Sequence, residues 1–209
     1  MRLTSVLANG LCVLLAACGG GGSGSPAAPS TSTLSIVLPS NTMVSGTSMQ
    51  ASATIDGAPA SAVLWRAEEP EKVSVTANGM LSATFQGSAV ISATSGGIKA
   101  TALIVVTPSA PIKIMIYSGD KQSANKGATL LEPLCTVVLD AAGNMIKDLV
   151  VTYTVATGGG VVAAPTAPAT NAQGIAISGG WKLGSTAGKQ TVTASHGTLA
   201  PVTFEATAQ

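Results

Sequence analysis

The sequence predicts an all-β protein built as two antiparallel sandwiches in tandem, and three observations lead there. From Leu34 onward apolar residues recur with a period of two, and turn signals interrupt them at short intervals. Aromatic residues make up only 3% of the chain, so any core must be filled by Val, Ile, Leu, Ala and Thr, a filling that suits small β-domains. The period shows in Met49, Ala51, Ala53 and Ile55 set against Gln50, Ser52 and Thr54, which predicts one strand with one apolar face. It shows again in Ala89, Ile91 and Ala93 set against Val90, Ser92 and Thr94. Turns fall at Ser45-Gly46, Asp56-Gly57-Ala58-Pro59, Asn78-Gly79, Gln86-Gly87 and Ser95-Gly96-Gly97. Asn-Gly reaches positive φ at little steric cost, so Asn78-Gly79 predicts a tight turn joining Val73–Val75 to Met80–Ala83. Parallel sheets would need helical crossovers, and no helical pattern supplies them.

Composition excludes other classes. With 46% hydrophobic residues and near-balanced charge the chain lacks the marks of disorder. Ten Lys and Arg against nine Asp and Glu leave no basic stripe for phosphates, so no nucleic-acid partner is expected.

The first residues read as an address. Arg2 supplies a positive start, and Leu3–Ala17 is a mostly apolar run of 15 residues. A membrane-spanning helix needs about 20, so the run reads as a signal-peptide core over residues 1–17. It ends Leu15-Ala16-Ala17-Cys18, which resembles the lipobox of bacterial lipoproteins. That resemblance implies cleavage between Ala17 and Cys18, a diacylated Cys18 thiol and an acylated new amino terminus, making the membrane a partner through the lipid. The alternative is an ordinary secretory signal in which Cys18 is incidental. By the same resemblance Gly19, where an Asp would mean inner-membrane retention, points to the outer membrane; whether the cell surface or the periplasmic face stays open. Residues 18–33 then form the lipidated cysteine and a tether, and the uncharged Gly/Ser/Pro/Thr tract Gly19–Thr33 reaches on the order of 20 Å.

Residues 34–107 carry Val44-Ser45-Gly46-Thr47, Val63-Leu64-Trp65, Val73-Ser74-Val75, Asn78-Gly79-Met80-Leu81 and Gly87-Ser88-Ala89-Val90-Ile91-Ser92-Ala93-Thr94. At these residues the chain resembles the group 2 bacterial immunoglobulin-like domain, which implies a sandwich plugged by Trp65 between its sheets. Thr107-Pro108-Ser109-Ala110-Pro111 is short and proline-stiffened, predicting two units set end to end with limited hinge freedom.

Residues 108–209 carry Gly119-Asp120-Lys121-Gln122-Ser123-Ala124, Leu139-Asp140-Ala141-Ala142-Gly143-Asn144, Val150-Val151-Thr152-Tyr153-Thr154-Val155, Asn171-Ala172-Gln173-Gly174-Ile175-Ala176, Trp181-Lys182-Leu183-Gly184 and Gln190-Thr191-Val192-Thr193-Ala194. This half resembles the group 1 bacterial immunoglobulin-like domain of invasin and intimin stalks, departing from it at Met145-Ile146-Lys147-Asp148. The resemblance implies a second immunoglobulin-like sandwich whose family members serve as rods holding a binding tip away from a membrane.

Residues for chemistry are few. A single His, His196, excludes multi-histidine metal sites, and its Ser195-His196-Gly197-Thr198 setting predicts an exposed hairpin turn. Neither a Gly-x-Ser-x-Gly nor a phosphate-binding Gly-rich motif occurs, so no enzyme activity and no cofactor are expected. Asp140, Asn144 and Asp148 offer oxygens that a Ca²⁺ could use, against a solvated turn as the simpler reading. Glu68, Glu69 and Glu71 beside Arg66 and Lys72 read as a solvated loop of mixed charge. Cys12 leaves with the signal and Cys18 takes lipid, so Cys135 has no intrachain disulfide partner. Strand alternation groups Cys135 with Val137 and Leu139, against Leu134, Thr136 and Val138. The family resemblance turns the second group inward, which leaves Cys135, Val137 and Leu139 as a candidate exposed contact strip; a buried, inert thiol is the competing reading.

The expected function is a non-enzymatic envelope lipoprotein presenting tandem domains for adhesion or protein contact, its protein partner belonging to a host or to the envelope. A periplasm-facing accessory subunit of an envelope assembly is the alternative, and a carbohydrate-binding module or enzyme accessory domain a further one.

Overall fold

The structure, a computed structural model, describes residues 31–209. The apolar leader, the expected cleavage position at Ala17 and Cys18, and the tether through residue 30 lie outside the described residues. All regular structure among the described residues is strand. Three sheets use residues up to Thr107, and three use residues from Lys113 onward, with no ladder joining the two sets.

In the first set, β1 (Leu34–Val37), β4 (Ser52–Ile55) and β5 (Ala58–Pro59) form one sheet, ordered β1-β4-β5. Strands β3 (Ser48–Gln50), β7 (Val73–Val75) and β8 (Met80–Ala83) form another, ordered β3-β8-β7. Both supply residues to clusters shared with a four-stranded sheet of β2 (Thr42–Val44), β6 (Leu64–Ala67), β9 (Gly87–Ser95) and β10 (Ile98–Thr107), ordered β2-β10-β9-β6. Met43, Val73, Leu81, Ala89, Ile91, Ile104 and Val106 fill the larger cluster, and Leu34, Ala53 and Ala93 the smaller. The alternating sets at Ala51/Ala53 and Ala89/Ile91/Ala93 turn inward as their period requires.

The run from Met49 to Ile55 is not one strand. It breaks at Ala51, whose N–H bonds Gly79 O at 2.9 Å, and the chain passes from pairing with β8 to pairing with β1. Strands that change sheet in this way bend the sandwich edge while keeping the inward alternation. The hairpin from β7 to β8 forms over the expected residues, with Gly79 at φ 83°. A Cβ there would stand 2.6 Å from Ala51 O and 3.1 Å from Trp65 Cε2, so only glycine lets this turn press on the tryptophan.

In the second set, β11 (Lys113–Ser118), β13 (Cys135–Leu139) and β16 (Ile175–Ile177) pair in the order β11-β13-β16. Opposite them stand β12 (Gln122–Ala124), β14 (Thr152–Thr157), β18 (Gly188–Ser195) and β19 (Val202–Ala208), ordered β12-β19-β18-β14. A small ladder joins β15 (Val161–Val162) to β17 (Trp181–Lys182). The core between them holds Trp181, Phe204, Tyr153, Leu134, Val138 and Val192. Tyr153 is tied down as well as packed. Thr136 shares a 2.8 Å hydrogen bond with its hydroxyl, which in turn donates to Ala176 O at 2.9 Å. Burial pushes the Tyr153 phenol up to about 12, against the smaller opposing effect of the Thr136 bond.

Candidate functional site

The Asp140-Ala-Ala-Gly-Asn144 turn was expected to be solvated or to offer Ca²⁺ ligands, and the structure corrects both readings. It follows β13 directly, Gly143 takes φ 87°, and Asp140 and Asn144 are only 3% and 4% exposed. The Asp140 carboxylate accepts four N–H bonds: Ala142 N and Asn144 N on Oδ1 at 3.0 and 2.8 Å, Ser109 N and Asn144 Nδ2 on Oδ2 at 3.0 and 2.8 Å. A carboxylate so occupied has its charge met by amides rather than a cation. Burial works to raise its pKa, yet the four hydrogen bonds outweigh burial and hold it below the ordinary 3.8. Asp148 stands apart as an exposed residue paired to Lys147 at 3.3 Å.

Asn144 faces the first set of sheets. Its Nδ2 donates to Ser45 Oγ at 3.1 Å and Thr84 O at 3.3 Å, and its Oδ1 accepts from Gln86 N at 2.9 Å. Gln86 Nε2 returns a bond to Met145 O at 3.0 Å, and Ser45 Oγ donates to Thr84 O at 2.8 Å. The turns after β2 and β8 therefore meet the turn after β13, and Ser109 of the Pro108–Pro111 segment is held by the same carboxylate. The connection was expected to owe its stiffness to proline; a buried polar network also holds it. Sequence reading missed this because the partners lie 31 to 99 positions away in the chain.

The strip of Cys135, Val137 and Leu139 is corrected in exposure. Leu134 and Val138 lie in the core cluster and Thr136 bonds Tyr153, while Cys135 and Val137 stand outside that cluster. Even so Cys135 and Val137 are only 7% and 4% exposed, and Leu139 is partly buried. Because β13 is the central strand, Val137 lies between Met115 and Ile175, and Cys135 beside Ile177, on the same face. Met115 and Ile177, 38% and 43% exposed, are the apolar groups that reach solvent there. Cys135 is a buried free thiol.

The remaining candidates are plainly placed. His196 lies in the turn between β18 and β19, with Nδ1 2.7 Å from Val150 O, so it is partly covered rather than free. The Glu68–Lys72 loop is strapped to β9 and β10: Glu69 Oε2 accepts from Val90 N at 2.9 Å, Lys72 Nζ donates to Ser88 O at 3.1 Å, and Glu68 meets Lys99 of β10 at 3.7 Å. Among the described residues no group of three or more His, Cys, Asp or Glu could hold a metal ion.

Trp65 was expected as a plug between sheets. It packs against both apolar clusters of the first set, but it stays partly exposed and lines a cleft of about 320 Å³. The fully buried tryptophan is Trp181, whose Nε1 has no hydrogen-bond partner among the described residues.

These features define an all-β protein of two sandwiches, antiparallel except for the edge ladders β2–β10 and β12–β19, joined by a buried polar contact. Residues 31–105 match the family model of the bacterial Ig-like domain (group 2). No curated protein matches the chain. Among solved structures it is similar to FdeC, an Escherichia coli adhesin, at 15% identity and a TM-score of 0.47, covering 84% of this chain and 64% of that one. It is also similar to the D00-D0 domain of intimin, at 13% identity and a TM-score of 0.43, covering 83% and 96%. Domains 4 and 5 of the S-layer protein SbsC match at 16% identity and a TM-score of 0.40, covering 84% and 96%. The chain spans only 23% of the SbsC structure of domains 1–6.

Proposed function

We propose that the chain is an envelope lipoprotein, cut between Ala17 and Cys18 and anchored through acyl chains on Cys18, that presents two immunoglobulin-like sandwiches for adhesion or protein contact. The observation that carries this reading is Leu15-Ala16-Ala17-Cys18, placed directly behind a 15-residue apolar run and ahead of an uncharged tether. The group 2 match over residues 31–105 supports a sandwich of this type as its first module. We assign residues 108–209 to the group 1 type on the motifs quoted above. Gly19 favours the outer membrane.

Mass spectrometry of the membrane-extracted protein tests the anchor. The expected species begins at Cys18 and carries acyl mass, and Cys18→Ser releases the protein from membranes. Material beginning at Met1, or lacking acyl groups, overturns the reading. Protease treatment of intact cells then separates the two roles: loss of the sandwiches means surface display, and protection means a periplasm-facing accessory subunit.

A further inference from the structure

We propose that the open cleft beside Trp65 is a binding site for a neutral saccharide. The cleft lies where the first sandwich changes sheet, between the Gln50–Ala53 passage, the Pro59–Val63 connection and the Ala77–Asn78 turn. Its volume of about 320 Å³ falls at the small end of the range for small-molecule sites, roughly 300–1,000 Å³. Three features of its wall select the ligand.

The first is the indole of Trp65, held from behind by Gly79 and by both apolar clusters, which presents a fixed aromatic surface. The second is a fixed pair of unlike polar groups. Gln50 Nε2 donates to Ala51 O and Asn78 O, both at 2.7 Å, which leaves Gln50 Oε1 as an acceptor with no partner among the described residues. Asn78 Oδ1 accepts the Thr76 hydroxyl, which leaves Asn78 Nδ2 as a donor in the same position, and Ser52 Oγ is also unbonded among the described residues. A sugar hydroxyl both donates and accepts, and so matches such a pair, while its C–H face matches the ring. The third is that no charged side chain lines the cleft, so nothing there compensates an anionic or cationic ligand.

A strand-adding peptide fits less well, because the backbone of the floor is already paired: Ala51 N bonds Gly79 O, and Ala60 N bonds Ala53 O, both at 2.9 Å. A wholly apolar ligand would strip water from the amide and hydroxyl groups without replacing it. This inference is independent of lipid anchoring, so its failure leaves the preceding proposal untouched.

The chain has two tryptophans, one lining the cleft and one fully buried, so their indole N–H signals in NMR separate cleft binding from general effects. The full-length chain is titrated with neutral oligosaccharides of glucose, galactose and N-acetylglucosamine, and in parallel with polygalacturonate and an extended apolar peptide. The expected result is a saturable shift of the Trp65 signal with at least one neutral sugar, while the Trp181 signal stays in place. Ser52→Ala, at an exposed position whose hydroxyl makes no bond among the described residues, should weaken that binding by about three- to tenfold, the worth of one hydrogen bond, without moving the thermal midpoint. Asn78→Ala should weaken it by a similar factor while also losing the bond to the Thr76 hydroxyl. No saturable shift at sugar concentrations on the order of tens of millimolar overturns the proposal. So does a shift unchanged in both variants, or one produced only by the peptide or the acidic polymer.

Discussion

Single residues hold the contact between the two sets of sheets, and Asn144 is the one with most to lose. Its amide reaches Ser45, Thr84, Gln86 and Asp140 together. Asn144→Ala strands buried donors and acceptors on both sides and is expected to lower stability by about 1–3 kcal/mol, measured by chemical denaturation. Asn144→Asp sets a second carboxylate against that of Asp140 and should cost more than the alanine variant. At Cys135 the facing could be read from alternation, because period two assigns one side of the strand to the core. Its burial could not, because the cover comes from Met115, Ile175 and Ile177 on two other strands. The thiol is therefore expected to resist an alkylating reagent in the native protein and to react once denatured; labelling of the native protein would contradict the burial described.

At the scale of elements, the hairpin of β7 and β8 was legible because Asn-Gly is a local conformational signal. The break between β3 and β4 was not, because alternation runs on unbroken through Ala51 while the hydrogen-bond partners change. Alternation reports which way side chains face and is silent about which strand lies alongside. Trp65 and Trp181 show the same limit: both sit in strand-like sequence, yet one is partly open and the other fully enclosed. Gly79 links the hairpin to Trp65, and its replacement tests that link. Gly79→Ala adds a left-handed penalty of about 1–2 kcal/mol to a contact with Ala51 O, and thermal melts should show it. The Trp65 indole signal should shift as well, because the added methyl meets the ring.

For the whole molecule, the question is how firmly the two sets of sheets act together under changing conditions, and acid is the sharpest probe. Asp140 has a lowered pKa in the folded protein, so its contribution is fully present above the ordinary value of 3.8. That contribution is lost as pH falls below 3.8 and through the lower folded value. Calorimetry should therefore show the thermal midpoint falling more steeply below this pH in the wild type than in Asp140→Asn. The variant should be the less stable of the two at neutral pH, and the gap should close in acid. This coupling is the part of the molecule least visible in the linear chain. Asp140 and Asn144 looked like ordinary turn residues, and only the approach of Ser45, Thr84, Gln86 and Ser109 gives them another use.

Two ladders at the sheet edges run parallel, β2 beside β10 and β12 beside β19. In each, an early strand lies along the last strand of its own sandwich. Tension that enters through β2 and leaves through β10, or enters through β12 and leaves through β19, acts along such a pair in opposite directions. It must slide the whole ladder at once rather than unzip it rung by rung. Three residues on each side share that load together.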